Sequence, residues 1–515
     1  MPGIPKFFRL QSSMVSPYGK VLTVFGASML PPAALAAIGG FDPLTFLAPA
    51  ALAIGAGLLC WYFGRRAQQN FKPRHASLLV ILIWFTLPLF GAIPLLDHTD
   101  QSLTDAYFEA VSGLTASGAT VLSGIEYLPD SVKLWRGIMS WLGGMGLIVL
   151  AVAILPNIGL GGRQMMRSEI TGPNKDSDLS LQIAETARGL WLIYASLTAL
   201  CGLCYWLAGM NELDATVHAF TTLALGGFSN YDASFGHFDS RTIEAIAIFF
   251  MLLAGFNFAT HILLVQRLRR PERSPRLGAG GLARLRGRLS YYFAGYRNDV
   301  ELLPYIFTAV AAAAFVSLAL HYGGVYASGG EALRHGVFNT VSIITTTGYV
   351  SSDFYAAWPL HLSLLILLLA NFCSCSGSTG GGVKMVRALT FLRRTKVEQV
   401  RMLHHYSYTQ VKIGGGIVSD KVVSSILFFM MTYAATIVVV TLLLLASDAN
   451  IDLVTSLSAA VASVSNTGPG LGAVGPGANY AILNPLATDI CSLAMIMGRL
   501  EFLLFLLLFS RDLWR

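Results

Sequence analysis

Leu114-Thr115-Ala116-Ser117-Gly118-Ala119-Thr120, Leu223-Ala224-Leu225-Gly226-Gly227-Phe228-Ser229, Thr345-Thr346-Thr347-Gly348-Tyr349 and Val464-Ser465-Asn466-Thr467-Gly468-Pro469-Gly470 are four stretches of one design. Each is short and centred on glycine. Each follows a helical segment too short to cross a bilayer, at 104–114, 213–223, 331–343 and 451–463. One glycine stretch between helices reads as a turn. Four of them, at the same place in four successive copies of a larger unit, read as a repeated device.

The chemistry of such a device follows from its composition. A cation stripped of water needs oxygen ligands, and backbone carbonyls supply them where the chain runs extended with its oxygens inward. Glycine permits the backbone angles this demands, including positive φ. A short helix ending at the stretch turns the negative end of its dipole toward the same place. Non-helical backbone at membrane depth is tolerated where it lines a cavity inside protein. The four stretches are therefore expected to be pore loops.

The rest of the chain supports a membrane setting. Of its 515 residues, 54% are hydrophobic and 12% charged, against about a quarter charged in soluble proteins. Apolar runs recur at 76–96, 138–156, 241–265, 301–320, 422–446 and 486–509, long enough to cross about 30 Å of hydrocarbon. Two further runs, 21–39 and 45–63, open the chain; the first is expected to be a retained span. The expected fold is all-α and polytopic: two N-terminal helices (1–75) precede four parallel helix–pore-loop–helix repeats around a central pore. The repeats with their linkers occupy 76–187, 188–300, 301–418 and 419–515, and ten full spans result.

The net charge of +7 is unevenly placed. Basic residues gather at Arg65, Arg66, Lys72 and Arg74, at Arg267, Arg269, Arg270, Arg273, Arg276, Arg284, Arg286 and Arg288, and at Lys384, Arg387, Arg393, Arg394, Lys396 and Arg401. Flanked by spans, such clusters mark cytoplasmic loops rather than a nucleic-acid surface. Both termini are then expected inside, in keeping with Arg511 and Arg515. The six cysteines lie in or beside apolar runs and suggest no disulfide framework. No HExxH or GxSxG string supports an enzyme.

Two features stand out near the third and fourth stretches. Ser374-Cys375-Ser376-Gly377-Ser378-Thr379-Gly380-Gly381-Gly382 interrupts an apolar helix, so it must be buried or face a cavity. It reads as a flexible kink or as a loop that blocks the path below the glycine stretches. Arg499 stands in the last apolar run, and Glu501 is two residues away, on another face of a helix. Arg499 is expected to partner loop carbonyls, to line the cavity as a barrier to cations, or to form an ion pair between repeats. His218 and His335, in the short helices, read as packing or capping groups rather than a proton relay.

The sequence resembles the bacterial Trk/Ktr/HKT superfamily of potassium transporters, closest to its TrkH/TrkG branch. The matching strings are Phe108-Glu109-Ala110-Val111-Ser112-Gly113-Leu114, Ile183-Ala184-Glu185-Thr186-Ala187-Arg188, Gly255-Phe256-Asn257-Phe258, the run Ser374 to Lys384, and Gly498-Arg499-Leu500-Glu501. The resemblance covers nearly the whole chain, and the two extra N-terminal runs favour the TrkH-like branch. It implies potassium uptake across the bacterial inner membrane, a homodimer, and cytoplasmic RCK-type, TrkA-like nucleotide-binding subunits. No cofactor is implied for this chain; potassium is the substrate. The resemblance places filter glycines at Gly118, Gly226, Gly348 and Gly468. The filter it implies comprises Thr115, Ala116, Ser117 and Gly118; Leu223, Ala224, Leu225 and Gly226; Thr346, Thr347 and Gly348; and Ser465, Asn466, Thr467 and Gly468. It also implies an intramembrane gate at Ser376, Gly377, Ser378, Thr379, Gly380, Gly381 and Gly382, with Arg499. Leu225 and Ala116-Ser117 depart from the family's usual threonines. A sodium- or proton-coupled potassium symporter is the alternative; it predicts inverted repeats and midplane ionisable residues.

Overall fold

The computed structural model describes residues 6–65, 73–153, 177–269, 290–404, 410–500, 502–506 and 508. Arg66, Lys72, Arg270 to Arg288, Glu501, Arg511 and Arg515 lie outside them. The described chain is mostly helical, with one hairpin of two-residue strands, Lys412–Ile413 against Gly416–Ile417. Six of the described helices are long and apolar enough to cross a bilayer: Met14–Ile38, Leu44–Gly64, Ser77–His98, Thr186–Leu207, Leu302–Tyr322 and Asp420–Ser447. Their outward faces carry exposed leucine, valine and phenylalanine, such as Leu203, Phe307 and Val438, as expected of residues whose solvent is lipid. This is a multi-pass membrane protein.

Four short helices stand apart from these spans: Leu103–Thr115, Glu212–Ala224, Gly329–Ile344 and Leu453–Ser465. All four start on a side-chain cap. Ser102, Asn211, Ser328 and Asp452 accept the backbone N–H three residues on, which satisfies one of the donors a helix start leaves free. The last eight or more residues of each are almost wholly buried, hydroxyls included. Each helix then stops in the same way, described below.

After each short helix and its glycine stretch the chain turns into another helix, and these differ. Asp130–Ala153 is continuous. The sequence reading of one straight span over 241–265 is corrected: Arg241–Ala254 and Phe258–Arg269 are bent by 93° across Gly255, Phe256 and Asn257. Asn257 Oδ1 accepts the N–H of Ala259, and its carbonyl accepts the Thr260 hydroxyl, so the new helix starts with its own cap. Leu360–Cys373 ends at the polar run, and Met385–Leu403 resumes beyond it. Pro485–Arg499 is 15 residues long. Among the described residues, the helices that close the second and third repeats are thus a bent pair and a broken pair.

Candidate functional site

The four glycine stretches share one backbone conformation. At each helix end a residue takes left-handed angles: Ala116 (φ 52°), Leu225 (φ 54°), Thr346 (φ 62°) and Asn466 (φ 55°). The next N–H in each, of Ser117, Gly226, Thr347 and Thr467, reaches back to Ser112, Thr221, Ser342 and Ala462 at 2.8–2.9 Å. The residue after that is a glycine with positive φ: Gly118 (82°), Gly227 (65°), Gly348 (88°) and Gly468 (94°).

These glycines close a ring. A Cβ on Gly118 would lie 2.6 Å from the carbonyl oxygen of Gly226; on Gly227, 2.0 Å from that of Thr347; on Gly348, 2.2 Å from that of Thr467; on Gly468, 2.6 Å from that of Ser117. Each stretch thus abuts the carbonyl of the next, and the fourth returns to the first. Only glycine fits, both for the angle and for the approach. Behind the ring, hydroxyl pairs brace three stretches: Thr115 with Ser117 (2.8 Å), Thr345 with Thr347 (2.8 Å) and Ser465 with Thr467 (2.7 Å). The second has Ala224 and Gly226 in these places and no such pair.

On the glycine side the ring opens to a cavity lined by all four glycines with Thr120, Ser229 and Asp232. The strand leaving each stretch is tied back to its short helix by a different group. Glu109 accepts the Thr120 hydroxyl and the Val121 N–H. His218 Nε2 bonds Ser229 Oγ at 3.0 Å, Asn339 accepts the Ser351 N–H at 3.0 Å, and Ser458 Oγ accepts the Leu471 N–H at 2.8 Å. Arg136 adds a bracket across two stretches. Its Nε is 2.8 Å from Glu109 Oε1, it donates to the Ser229 carbonyl at 3.0 Å, and it lies 4.2 Å over the Phe228 ring.

On the helix side the run 374–382 lies under the ring. Thr379 Oγ1 donates to the Leu223 carbonyl at 3.0 Å, and the Gly381 N–H donates to Thr346 Oγ1 at 2.8 Å. A Cβ on Gly381 would lie 1.9 Å from the Ser465 carbonyl oxygen. The run therefore touches the third and fourth stretches and the end of the short helix before the second. Arg499 reaches it from the last helix: it donates to the Thr379 carbonyl at 3.0 Å and to the Gly143 carbonyl at 3.1 Å. Lys384 Nζ donates to the Gly380 carbonyl within the run. Among the described residues no carboxylate pairs with Arg499, which is 2% exposed and whose Nε is without a partner.

Residues 45–514 match the family model described as TrkH, Cation transport protein. The chain belongs to the TrkH family. It is 38% identical to the Trk system potassium uptake protein TrkH of Vibrio parahaemolyticus over 98% of this chain and 99% of that one. It is 37% identical to TrkH and 33% identical to TrkG of Escherichia coli strain K12, over 96% of this chain in both cases and 98% and 97% of those proteins. The crystal structure of the potassium transporter TrkH from Vibrio parahaemolyticus superposes with a TM-score of 0.85 at 36% identity, covering 98% of this chain and 99% of that one. Membership makes this a transport protein and not an enzyme.

In this TrkH-family chain the ring corrects the register read from the sequence. Gly227, not Gly226, stands in line with Gly118, Gly348 and Gly468. Gly226 occupies the place of Ser117, and Leu223 that of Leu114, inside the short helix with its carbonyl taken by Thr379. The second stretch accordingly runs Ala224 to Gly227, and the third begins at Thr345 rather than Thr346. Arg136 and Glu301, which touch the stretches and the run beneath, went unremarked in the sequence. Arg136 carried one usable signal, a charge six residues into an apolar helix.

Proposed function

We propose that this TrkH-family chain carries potassium ions inward across the bacterial inner membrane through the ring, with backbone carbonyls of 115–118, 224–227, 345–348 and 465–468 as ligands. The reading rests on one observation, the closed circuit of four glycines each against its neighbour's carbonyl. Four short helices end at that circuit, and their dipoles favour a cation there. The four helix–stretch–helix units act as parallel repeats, with basic loops and both termini in the cytoplasm. Ser376 to Gly382 forms the gate: seated under the ring, the run leaves no room for an ion until it moves. Arg499 holds the run closed and opposes a cation in the path, since a charge acts far more strongly in a low-dielectric passage than in water. The chain works as a homodimer on a cytoplasmic ring of RCK-type, TrkA-like nucleotide-binding subunits.

The test is ion flux into liposomes, potassium against sodium, with and without the nucleotide-binding subunits. Flux should favour potassium, follow the potassium gradient alone and rise with the subunits. A reversal potential that moves with a sodium or proton gradient would establish the coupled symporter instead.

A further inference from the structure

The blocking run has a second attachment, away from the ring and from Arg499. Its first residues pass between two elements that begin near the cytoplasmic ends of their helices. On one side is the 93° bend: the Cys375 N–H donates to the Gly255 carbonyl at 3.2 Å, and the Gly377 carbonyl accepts the Phe258 N–H at 3.1 Å. A Cβ on Gly377 would lie 2.7 Å from Asn257 Oδ1. On the other side is Glu301, the residue before Leu302–Tyr322, whose carboxylate accepts the Ser376 N–H at 2.6 Å. Glu301 is 3% exposed. A carboxylate withdrawn from water is costly unless it is well bonded, and this one is bonded by the N–H and the side chain of one loop residue, Ser376.

The two sides are joined. His261, just past the bend, bonds the Tyr296 hydroxyl at 2.5 Å, and Arg267 donates to the Tyr291 carbonyl at 2.9 Å. The Phe256 ring packs edge-on against Tyr305, one turn after Glu301, with centroids 5.5 Å apart. The bend and Glu301 thus form the two sides of one clamp on Ser376 and Gly377. We propose that Glu301 is a positioning residue for the gate: its charged hydrogen bond to Ser376 holds the start of the run shut, and loss of that bond lets the run leave the ring. The inference rests on the reading of the run as a gate.

The surroundings make that bond sensitive to protons. Burial pushes the Glu301 carboxyl up to about 7; the Ser376 N–H and side chain oppose this, Asp299 adds to it and Lys384 opposes it. The Cys375 thiol is the other titratable neighbour. Above that pH the carboxylate is charged and the bond strong. As pH falls through it, the group gains a proton and the bond weakens. When the run leaves, the carboxyl stays buried beside the bend and loses the Ser376 bonds that hold its value down; protons bind more tightly in that state, so acidification on that face should open the gate.

The experiment is potassium flux in liposomes without partner subunits, for the parent, Glu301→Gln, Glu301→Asp and a deletion of 377–381. At pH 8 Glu301→Gln should leak about tenfold more than the parent, the shift expected on losing a charged hydrogen bond. Glu301→Asp should lie between them. Parent flux should climb toward the Gln level as pH drops below 7, while the Gln variant stays flat. If the deletion leaks but Glu301→Gln matches the parent in rate and pH profile, the clamp is wrong and the gate stands. If the deletion does not leak either, the gate reading falls and the clamp with it. Should the variants fail to fold, hydrogen exchange on the parent decides. Corrected for intrinsic rate, protection of the Ser376 amide must fall below pH 7, and unchanged protection overturns the proposal.

Discussion

Two arginines flank the ring, one on each side, and they are equally buried: Arg136 is 1% and Arg499 2% exposed. Their partners differ in kind. Arg136 meets a carboxylate, a hydroxyl, a carbonyl and an aromatic face. Arg499 meets two carbonyls and nothing else that carries charge among the described residues. The first pair is neutral as a unit, so it can brace the ring without affecting an ion. The second leaves a whole positive charge beside the proposed path, bonded to backbone carbonyls. A buried charge that is cancelled fixes shape; one that is left uncancelled sets a field.

The contrast is most easily broken at Arg136. Arg136→Ala strands Glu109, and removing one partner of a buried pair costs about 3–5 kcal/mol. Thermal unfolding in detergent should show a large loss of stability, with little recovered by lysine, which lacks the planar fork. Near-parental melting of Arg136→Ala would mean that the bracket is ornamental and the two arginines differ less than their partners suggest.

The ring between the arginines gives a finer test. Gly227→Ala drives a Cβ to 2.0 Å from the Thr347 carbonyl at positive φ. Gly226→Ala meets the Ser140 hydroxyl at the same distance and Ala116 at 3.2–3.3 Å, with no positive φ, and a serine side chain can rotate. We expect Gly227→Ala to lose potassium flux by about tenfold or more, given strain of 1–3 kcal/mol at such positions, and Gly226→Ala to lose clearly less. The reverse order would restore the register read from the sequence. Gly118→Ser, 2.6 Å from the Gly226 carbonyl, should reduce the preference for potassium over sodium; an unchanged permeability ratio would remove Gly118 from the filter.

On the other side, Arg499 should give gain rather than loss. Arg499→Ala removes two bonds to neutral carbonyls and a repelling charge, so basal flux should rise several-fold while melting shifts less than for Arg136→Ala. Lysine separates the roles: like arginine if charge is the barrier, like alanine if the fork braces the loop. The smallest effect is expected at Asn466, whose side-chain amide donates to Ser117 Oγ at 2.8 Å and to the Met495 carbonyl at 3.0 Å. Asn466→Ala should cost about 1 kcal/mol of stability, read from melting, with selectivity shifted only slightly. A large loss of selectivity would show that the fourth stretch governs the ring more than its neighbours.

The sequence by itself determined the membrane setting, the four short helices, and the place of a glycine turn at the end of each. These rest on local facts: run length, hydropathy and glycine, each of which acts within a few positions along the chain. The four short-helix expectations fall within two residues of the observed ends. Tertiary structure decided the rest. Gly226 and Gly227 are indistinguishable as letters, and only the Thr347 carbonyl, more than a hundred residues away, selects one of them for the ring. The bend at Gly255 to Asn257 hides in an apolar run because its freed backbone groups are answered by Asn257 and by the Cys375 and Gly377 backbone. Arg499 has backbone partners, and every residue offers a carbonyl, so no pattern of side chains could have identified Thr379 and Gly143. Contacts between distant backbones leave no mark in a sequence; they exist only once the helices are packed.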